Sequence, residues 1–188
     1  MIHNNTIKRT LKDVYLYFDS PRIDNPIFPI NVKSILFVCK GNICRSPFAE
    51  YIANKIALER SLIDVISSSA GLEVPTSLAS PHEVLEISEK FGVNLNAHKS
   101  NRITGRSAEC SDMIIAMESW QVIRLRELFP LHGDKIFLLP LFERNTRKWR
   151  WSYERYNILD PYGKPMPYFQ ECFHRIERCI NELYSKFQ

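Results

Sequence analysis

No stretch of this 188-residue chain approaches the ~18 consecutive apolar residues that a membrane-spanning helix needs, so an integral membrane protein is not expected. Met1-Ile2-His3-Asn4-Asn5-Thr6 has no apolar core, which argues against a secretory leader at this end. Cysteine is scarce and odd in number: there are 5, without the spacing of a disulfide framework. The chain also lacks a Cys-x-x-Cys pair or closely paired histidines, and no metal or other cofactor is expected. A reducing, cytoplasmic setting follows from the cysteine usage. Internal repeats and low-complexity tracts are absent. The net charge of +4 is too mild to argue for nucleic acid, though it suits an anionic substrate.

What is present is ordinary soluble composition, 45% hydrophobic and 24% charged, which excludes wholesale disorder. The length allows one α/β domain with a little left over. Residues 1–31 stand apart: a basic and aromatic stretch is followed by Pro21, Pro26 and Pro29, which break helix and central strand alike. They are expected to form an arm on a domain spanning 32–188, being too short to bury a core of their own.

From Val32 the pattern alternates. Ser34–Val38 reads as a buried strand, Pro47 to about Arg60 as a helix with Ser46 as N-cap and Pro47 at its first position. Asp64–Ser68 reads as a second strand, ended by Ala70-Gly71, and Pro81–Phe91 as a helix closed by Gly92. Asp112–Met117 and Lys135–Leu139 read as strands around a helix at Glu118–Phe129. Phe169, Cys172, Phe173, Ile176, Ile180 and Leu183 recur at helical spacing near the C-terminus. This alternation predicts an α/β fold, a three-layer sandwich with a four-stranded parallel sheet and helices on both faces. Ligand-binding loops then belong at the carboxyl ends of the strands, where Cys39 falls.

That loop is Cys39-Lys40-Gly41-Asn42-Ile43-Cys44-Arg45-Ser46-Pro47. Gly41 permits a tight backbone path in which successive amides point inward as an anion nest. The helix behind it aims its positive end at the same point, and Arg45 adds a planar fork for two phosphate oxygens. Helix dipole, amides and Arg45 all favour a thiolate at Cys39, a nucleophile that needs neither metal nor histidine. Ser46 is placed to hydrogen-bond the sulfur, and Asn42 to hold the loop's shape. Expelling an alcohol or phenol from phosphorus requires a proton donor, and Asp160 in Ile158-Leu159-Asp160-Pro161-Tyr162-Gly163 is the best candidate, on a turn set by Pro161 and Gly163. Tyr162 offers an aromatic wall for a phenyl ring.

The run Val38–Pro47 together with Asp160-Pro161-Tyr162 resembles the low-molecular-weight protein tyrosine phosphatases, over about residues 33–188. The resemblance implies that Cys39 attacks phosphorus to form a phosphocysteine, that Arg45 binds the phosphoryl oxygens, and that Asp160 protonates the leaving tyrosine and then activates water. Lys40, Gly41, Asn42, Ile43, Cys44, Ser46 and Tyr162 fall at its substrate-binding positions. Cys44 matches a second cysteine able to form a disulfide with the nucleophile and shield it from over-oxidation. In relatives acting on phosphoarginine, the position of Ile43 is a threonine that polarises the attacking water, so isoleucine favours phosphotyrosine. The implied partner is a phosphotyrosine protein, such as a bacterial tyrosine kinase of polysaccharide export, with inorganic phosphate as product.

Three features depart from the pattern. Lys40 follows the nucleophile where an apolar residue or threonine is usual, and is expected to favour acidic peptides. The loop Gly71–Pro81 lacks an aromatic, and Gly163 takes the place of a second tyrosine, as in bacterial members. Two other functions fit the sequence less well. A thiol-dependent arsenate reductase would need a later cysteine pair, but Met117 stands seven residues after Cys110, and Cys172 and Cys179 fit helix packing. A silent phosphotyrosine-binding module would need neither thiol nor acid. His82 and His98 read as surface or packing histidines. Arg144–Arg155 mixes bases with aromatics; a substrate-selecting rim is preferred over RNA binding.

Overall fold

A computed structural model of the chain describes residues 23–143 and 153–187. Four parallel strands form one sheet: β1 (Ser34–Cys39), β2 (Ile66–Gly71), β3 (Met113–Ala116) and β4 (Ile136–Leu138), in the order β2-β1-β3-β4. Helices α1 (Arg45–Glu59), α2 (His82–Lys90), α3 (Gly105–Glu109), α4 (Ser119–Leu128) and α5 (Met166–Tyr184) connect and cover it. The three-layer sandwich expected from the alternation is present, with one strand shifted, one helix start moved and one helix added.

Alternation along β1 divides the core. Ile35, Phe37 and Cys39 face a cluster built with α1, α2 and α5, while Leu36 and Val38 face a smaller one with Ala108, Val122 and Leu125 of α3 and α4. In the larger layer Phe48 of α1 stacks on Phe173 of α5 at 3.9 Å between centroids, and Phe91 meets Phe48 edge-on at 5.1 Å. Cys172 and Cys179 are buried in this layer, as the helical spacing indicated, and burial pushes both thiols up to about 12.

Three local differences from the sequence reading have physical causes. The second strand starts later and runs through Ala70 and Gly71, because both pair with the end of β1. Helix α1 begins at Arg45 with Cys44 as N-cap and no side-chain cap. Ser46 is therefore inside the first turn, and its hydroxyl is engaged elsewhere. The short α3 was not expected; its Thr104/Ser107 capping box stabilises a single turn too brief for apolar periodicity to reveal.

The N-terminal arm, from Ile23 onward, wraps the sheet at its β4 edge. Ile23 enters the smaller core, and Phe28 packs on Phe142 and Phe187 at the larger one. Between them the Asn25 carboxamide accepts from the Leu138 amide at 2.7 Å and donates to its carbonyl at 3.2 Å, covering exposed edge groups of β4. Residues 1–22, and most of the basic and aromatic stretch at 144–152, lie outside the described residues.

At the opposite end from the loops, Asp112 joins the starts of β1 and β3. Its carboxylate accepts from the amides of Lys33 and Ser34 and from the Ser34 hydroxyl, each at 2.9 Å. Burial alone would raise its pKa, but these bonds and the nearby Lys135 outweigh it and hold the carboxyl below the usual carboxylate range. The unfolded chain therefore binds the proton more tightly. The contribution is present above the unfolded value of about 3.9 and is lost as pH falls through the lower folded one. Urea unfolding of Asp112→Ala should show it less stable than wild type at pH about 7, with the gap closing in strongly acid solution.

Candidate active site

The loop joining β1 to α1 places Cys39 at the floor of the site, 3% exposed. Its Sγ accepts from the Asn42 amide at 3.2 Å and lies 3.1 Å from the Ser46 hydroxyl. Ser46 Oγ also lies 3.2 Å from the Ala70 carbonyl and accepts from Asn42 Nδ2 at 2.9 Å. A hydroxyl has one proton, so it bonds either the carbonyl or the sulfur. An anionic sulfur draws the proton from the carbonyl; a neutral thiol leaves it there.

The strained residue of this loop is Asn42, not Gly41. Asn42 carries φ 54° and is fully buried, whereas Gly41 is not among the left-handed residues. The strain is held by side-chain bonds: Asn42 Nδ2 also donates to Ser69 Oγ at 2.8 Å, and Oδ1 accepts from the Asn101 amide at 2.8 Å. His98 Nε2 lies 2.8 Å from the Asn42 carbonyl, and Ser69 donates to Glu50 at 2.6 Å. Burial pushes the Glu50 carboxyl up, against the Ser69 bond and the field of His98. The glycine that the loop does require is Gly71 of β2. A Cβ there would stand 2.6 Å from Val74 Cγ2, 2.9 Å from the Lys40 carbonyl and 3.0 Å from the Asn42 amide.

Arg45 is 1% exposed, among the largest fully buried side chains. Its Nη1 donates to Glu118 at 2.5 Å and to the Ile158 carbonyl at 2.9 Å, and Nη2 donates to Asp160 Oδ2 at 2.6 Å. Burial opposes the charge, but Glu118, Cys39 and Asp160 outweigh it and hold the guanidinium charged. Its Nε is buried with no hydrogen-bond partner among the described residues. A buried N–H of a charged group beside an inward-facing loop is what an anion would satisfy.

Asp160 reaches the site from a chain position 115 residues away. Its other oxygen, Oδ1, accepts from the Tyr162 amide at 3.2 Å, the turn that Asp-Pro favours. The Tyr162 side chain is 62% exposed, outside the core at the turn. Lys40 is exposed too, and its Nζ lies 3.4 Å from Glu73. Ile43 is half-buried against the main core, and Cys44 is buried, its thiol pushed up by burial and then by Asp160 and Cys39. Cys39 and Cys44 are both free thiols. Among the described residues no helix is long and apolar enough to cross a membrane.

The family model described as "Low molecular weight phosphotyrosine protein phosphatase" matches residues 34–188. The chain belongs to this family. Among its relatives, the low molecular weight protein-tyrosine-phosphatase Etp of Escherichia coli is 29% identical over 153 residues, covering 81% of this chain and 93% of that protein. The protein-arginine-phosphatase of Bacillus subtilis is 31% identical over 150 residues, covering 79% and 93%. The solved low molecular weight protein tyrosine phosphatase from T. tengcongensis superposes with a TM-score of 0.72 at 27% identity, covering 81% of this chain and 98% of that one.

In this phosphatase the structure brings Cys39, Arg45 and Asp160 together with the intervening loop. Four residues of the site are missing from the candidates read in the sequence. His98 reads as a packing histidine in sequence, yet its ring touches the loop carbonyl. Glu50 and Ser69 continue the Asn42 network, and Glu118 is the buried partner of Arg45. Only Glu118 had a usable cue: an acidic residue directly after an apolar strand, at the edge where ligands gather. Glu118→Ala would leave Arg45 held by Asp160, which is 40% exposed. We expect a loss of about 3 kcal/mol in unfolding free energy, the low end for a broken buried pair, together with weaker binding of inorganic phosphate by calorimetry.

Proposed function

We propose that this phosphatase removes phosphate from tyrosine in proteins through a phosphocysteine on Cys39. The observation that carries the reading is the single cluster formed by a buried nucleophile, a buried guanidinium with a free Nε, and a carboxyl on a separate turn. A tetrahedral dianion seated in the loop would take the unbonded Nε of Arg45, and Nη2 once Asp160 releases it. Asp160 then gives up its bond to Nη2 and turns to the leaving oxygen.

Chemistry proceeds in two displacements. Cys39 Sγ forms a bond to phosphorus, the bond to the tyrosine oxygen breaks, and that oxygen leaves with the electron pair and the proton of Asp160. Water next attacks phosphorus as Asp160 removes its proton; the sulfur–phosphorus bond breaks, restoring the thiolate and releasing inorganic phosphate. Arg45 and the loop amides hold the equatorial oxygens through both steps. Ser46 serves the sulfur whenever it is anionic.

Relatives of this chain are named for tyrosine and for arginine phosphatase activity, so the substrate must be argued from the pocket. Ile43 supports phosphotyrosine. It offers no hydroxyl to orient water toward a phosphorus–nitrogen bond, and it adds apolar surface at the loop. The exposed Tyr162 supports the same reading as one wall for an aryl ring. At the rim, Lys40 is paired with Glu73 by an exposed, weakly stabilising contact. An acidic residue flanking the phosphotyrosine can replace Glu73 there. The substrate class is thus a tyrosine-phosphorylated protein with acidic residues beside the phosphotyrosine, and a bacterial tyrosine kinase is the partner implied by the family.

Steady-state kinetics on phosphotyrosine, phosphoserine and phosphoarginine peptides tests this. Phosphotyrosine should dominate, Cys39→Ser should abolish turnover while retaining phosphate binding, and Lys40→Met should selectively slow acidic-flanked peptides. Preference for phosphoarginine, or activity in Cys39→Ser, would overturn the proposal.

A further inference from the structure

Asp160 sits on a turn that belongs to no helix or strand, yet the backbone leading to it is tied at successive residues. The Ile158 amide donates to the Met117 carbonyl at 2.9 Å, and its own carbonyl accepts from Arg45. One residue earlier, the Asn157 carbonyl accepts from Arg175 Nη1 at 3.0 Å. Arg175 projects from the middle of α5 and is 8% exposed. Its Nη2 donates to the Glu154 carbonyl at 2.6 Å, and its Nε to Glu143 at 3.1 Å, a carboxylate that Arg178 also reaches at 3.3 Å.

We propose that Arg175 is a positioning residue for the proton donor. By fixing the carbonyls of Glu154 and Asn157 to α5, it sets the height at which the Asp160 carboxyl meets the leaving oxygen; this rests on Asp160 being that donor. A planar fork with donors in fixed directions holds two carbonyls at once, which a lysine ammonium does not.

The anchor at the other end is equally firm. Two residues before Arg175, Phe173 stacks on Phe48 of α1, the helix whose first turn carries Arg45 and Ser46. The distance from nucleophile to acid is therefore set through α1 against α5, with Arg175 as the last link. A misplacement of ~1 Å in such a chain costs about 10²-fold in rate.

Leaving-group dependence separates positioning from mere stability. Dinitrophenyl phosphate expels an oxygen that needs no proton, whereas phenyl phosphate requires the donor. Arg175→Met should lower kcat/KM for phenyl phosphate by ~10–100-fold and for dinitrophenyl phosphate by less than about twofold. A cavity of about 490 Å³, lined in part by Asp160, Cys172, Arg175 and Arg178, adjoins the site. Added guanidinium should enter it and restore phenyl phosphate turnover in Arg175→Ala several-fold. Glu143→Gln keeps both carbonyl bonds, so it should lower thermal stability and leave the ratio of the two esters at the wild-type value.

Equal losses on both esters in Arg175→Met, or none, would overturn the proposal. Should that variant fail to fold, Arg175→Lys, which keeps the charge without the fork, is read the same way. Asp160→Ala measured alongside distinguishes the two levels: if it shows no leaving-group dependence, the assignment of the acid fails and not the role of Arg175 alone.

Discussion

A guanidinium that is 1% exposed at the base of the loop sets the terms for the rest of the site. Desolvating a cation is costly unless its donors are met, and Arg45 is met from three directions: Glu118 after β3, the Ile158 carbonyl, and Asp160. The partners come from two distant parts of the chain, Glu118 after β3 and the turn that carries both Ile158 and Asp160, so the charge draws the strand end, the turn and the loop to one point. The remaining Nε is the donor that an incoming phosphate would satisfy. Stability and substrate recognition are thereby vested in the same side chain.

Around that charge the loop is kept rigid by short-range detail. Asn42 holds a left-handed conformation that an asparagine tolerates, and its carboxamide binds Ser46, Ser69 and the Asn101 amide. Gly71 lets β2 approach the loop backbone closely enough for the Leu72 and Glu73 amides to donate to the carbonyls of Cys39 and Lys40. A loop held this way, with the Asn42 amide already directed at the sulfur, needs little reorganisation in the transition state.

Much of this was legible in sequence, for identifiable reasons. The strands announced themselves because buried parallel strands are short apolar runs, as in Ile35-Leu36-Phe37-Val38. The loop was legible because its chemistry is contiguous in nine residues. Boundaries were less so: Ser-rich β2 has little apolar signal, and its extent depends on pairing with β1. The sequence points to Gly41 as the flexible residue, but the left-handed φ falls on Asn42, whose side chain compensates through contacts distant in sequence. Glu118, His98 and Arg175 share that obstacle. Each acts through a partner 73, 56 or 18 residues away, and no local pattern encodes such a meeting.

The central claim is that Cys39 carries the phosphoryl group. The direct measurement is rapid acid quenching of Asp160→Ala during turnover of dinitrophenyl phosphate, whose leaving group needs no proton donor, followed by peptide mass spectrometry. The account predicts one phosphoryl group on the peptide holding Cys39, localised to its sulfur, because the second displacement is slowed without the carboxylate. Turnover with no phosphorylated Cys39 at any quench time, or a phosphoryl group on Ser46 instead, would contradict it.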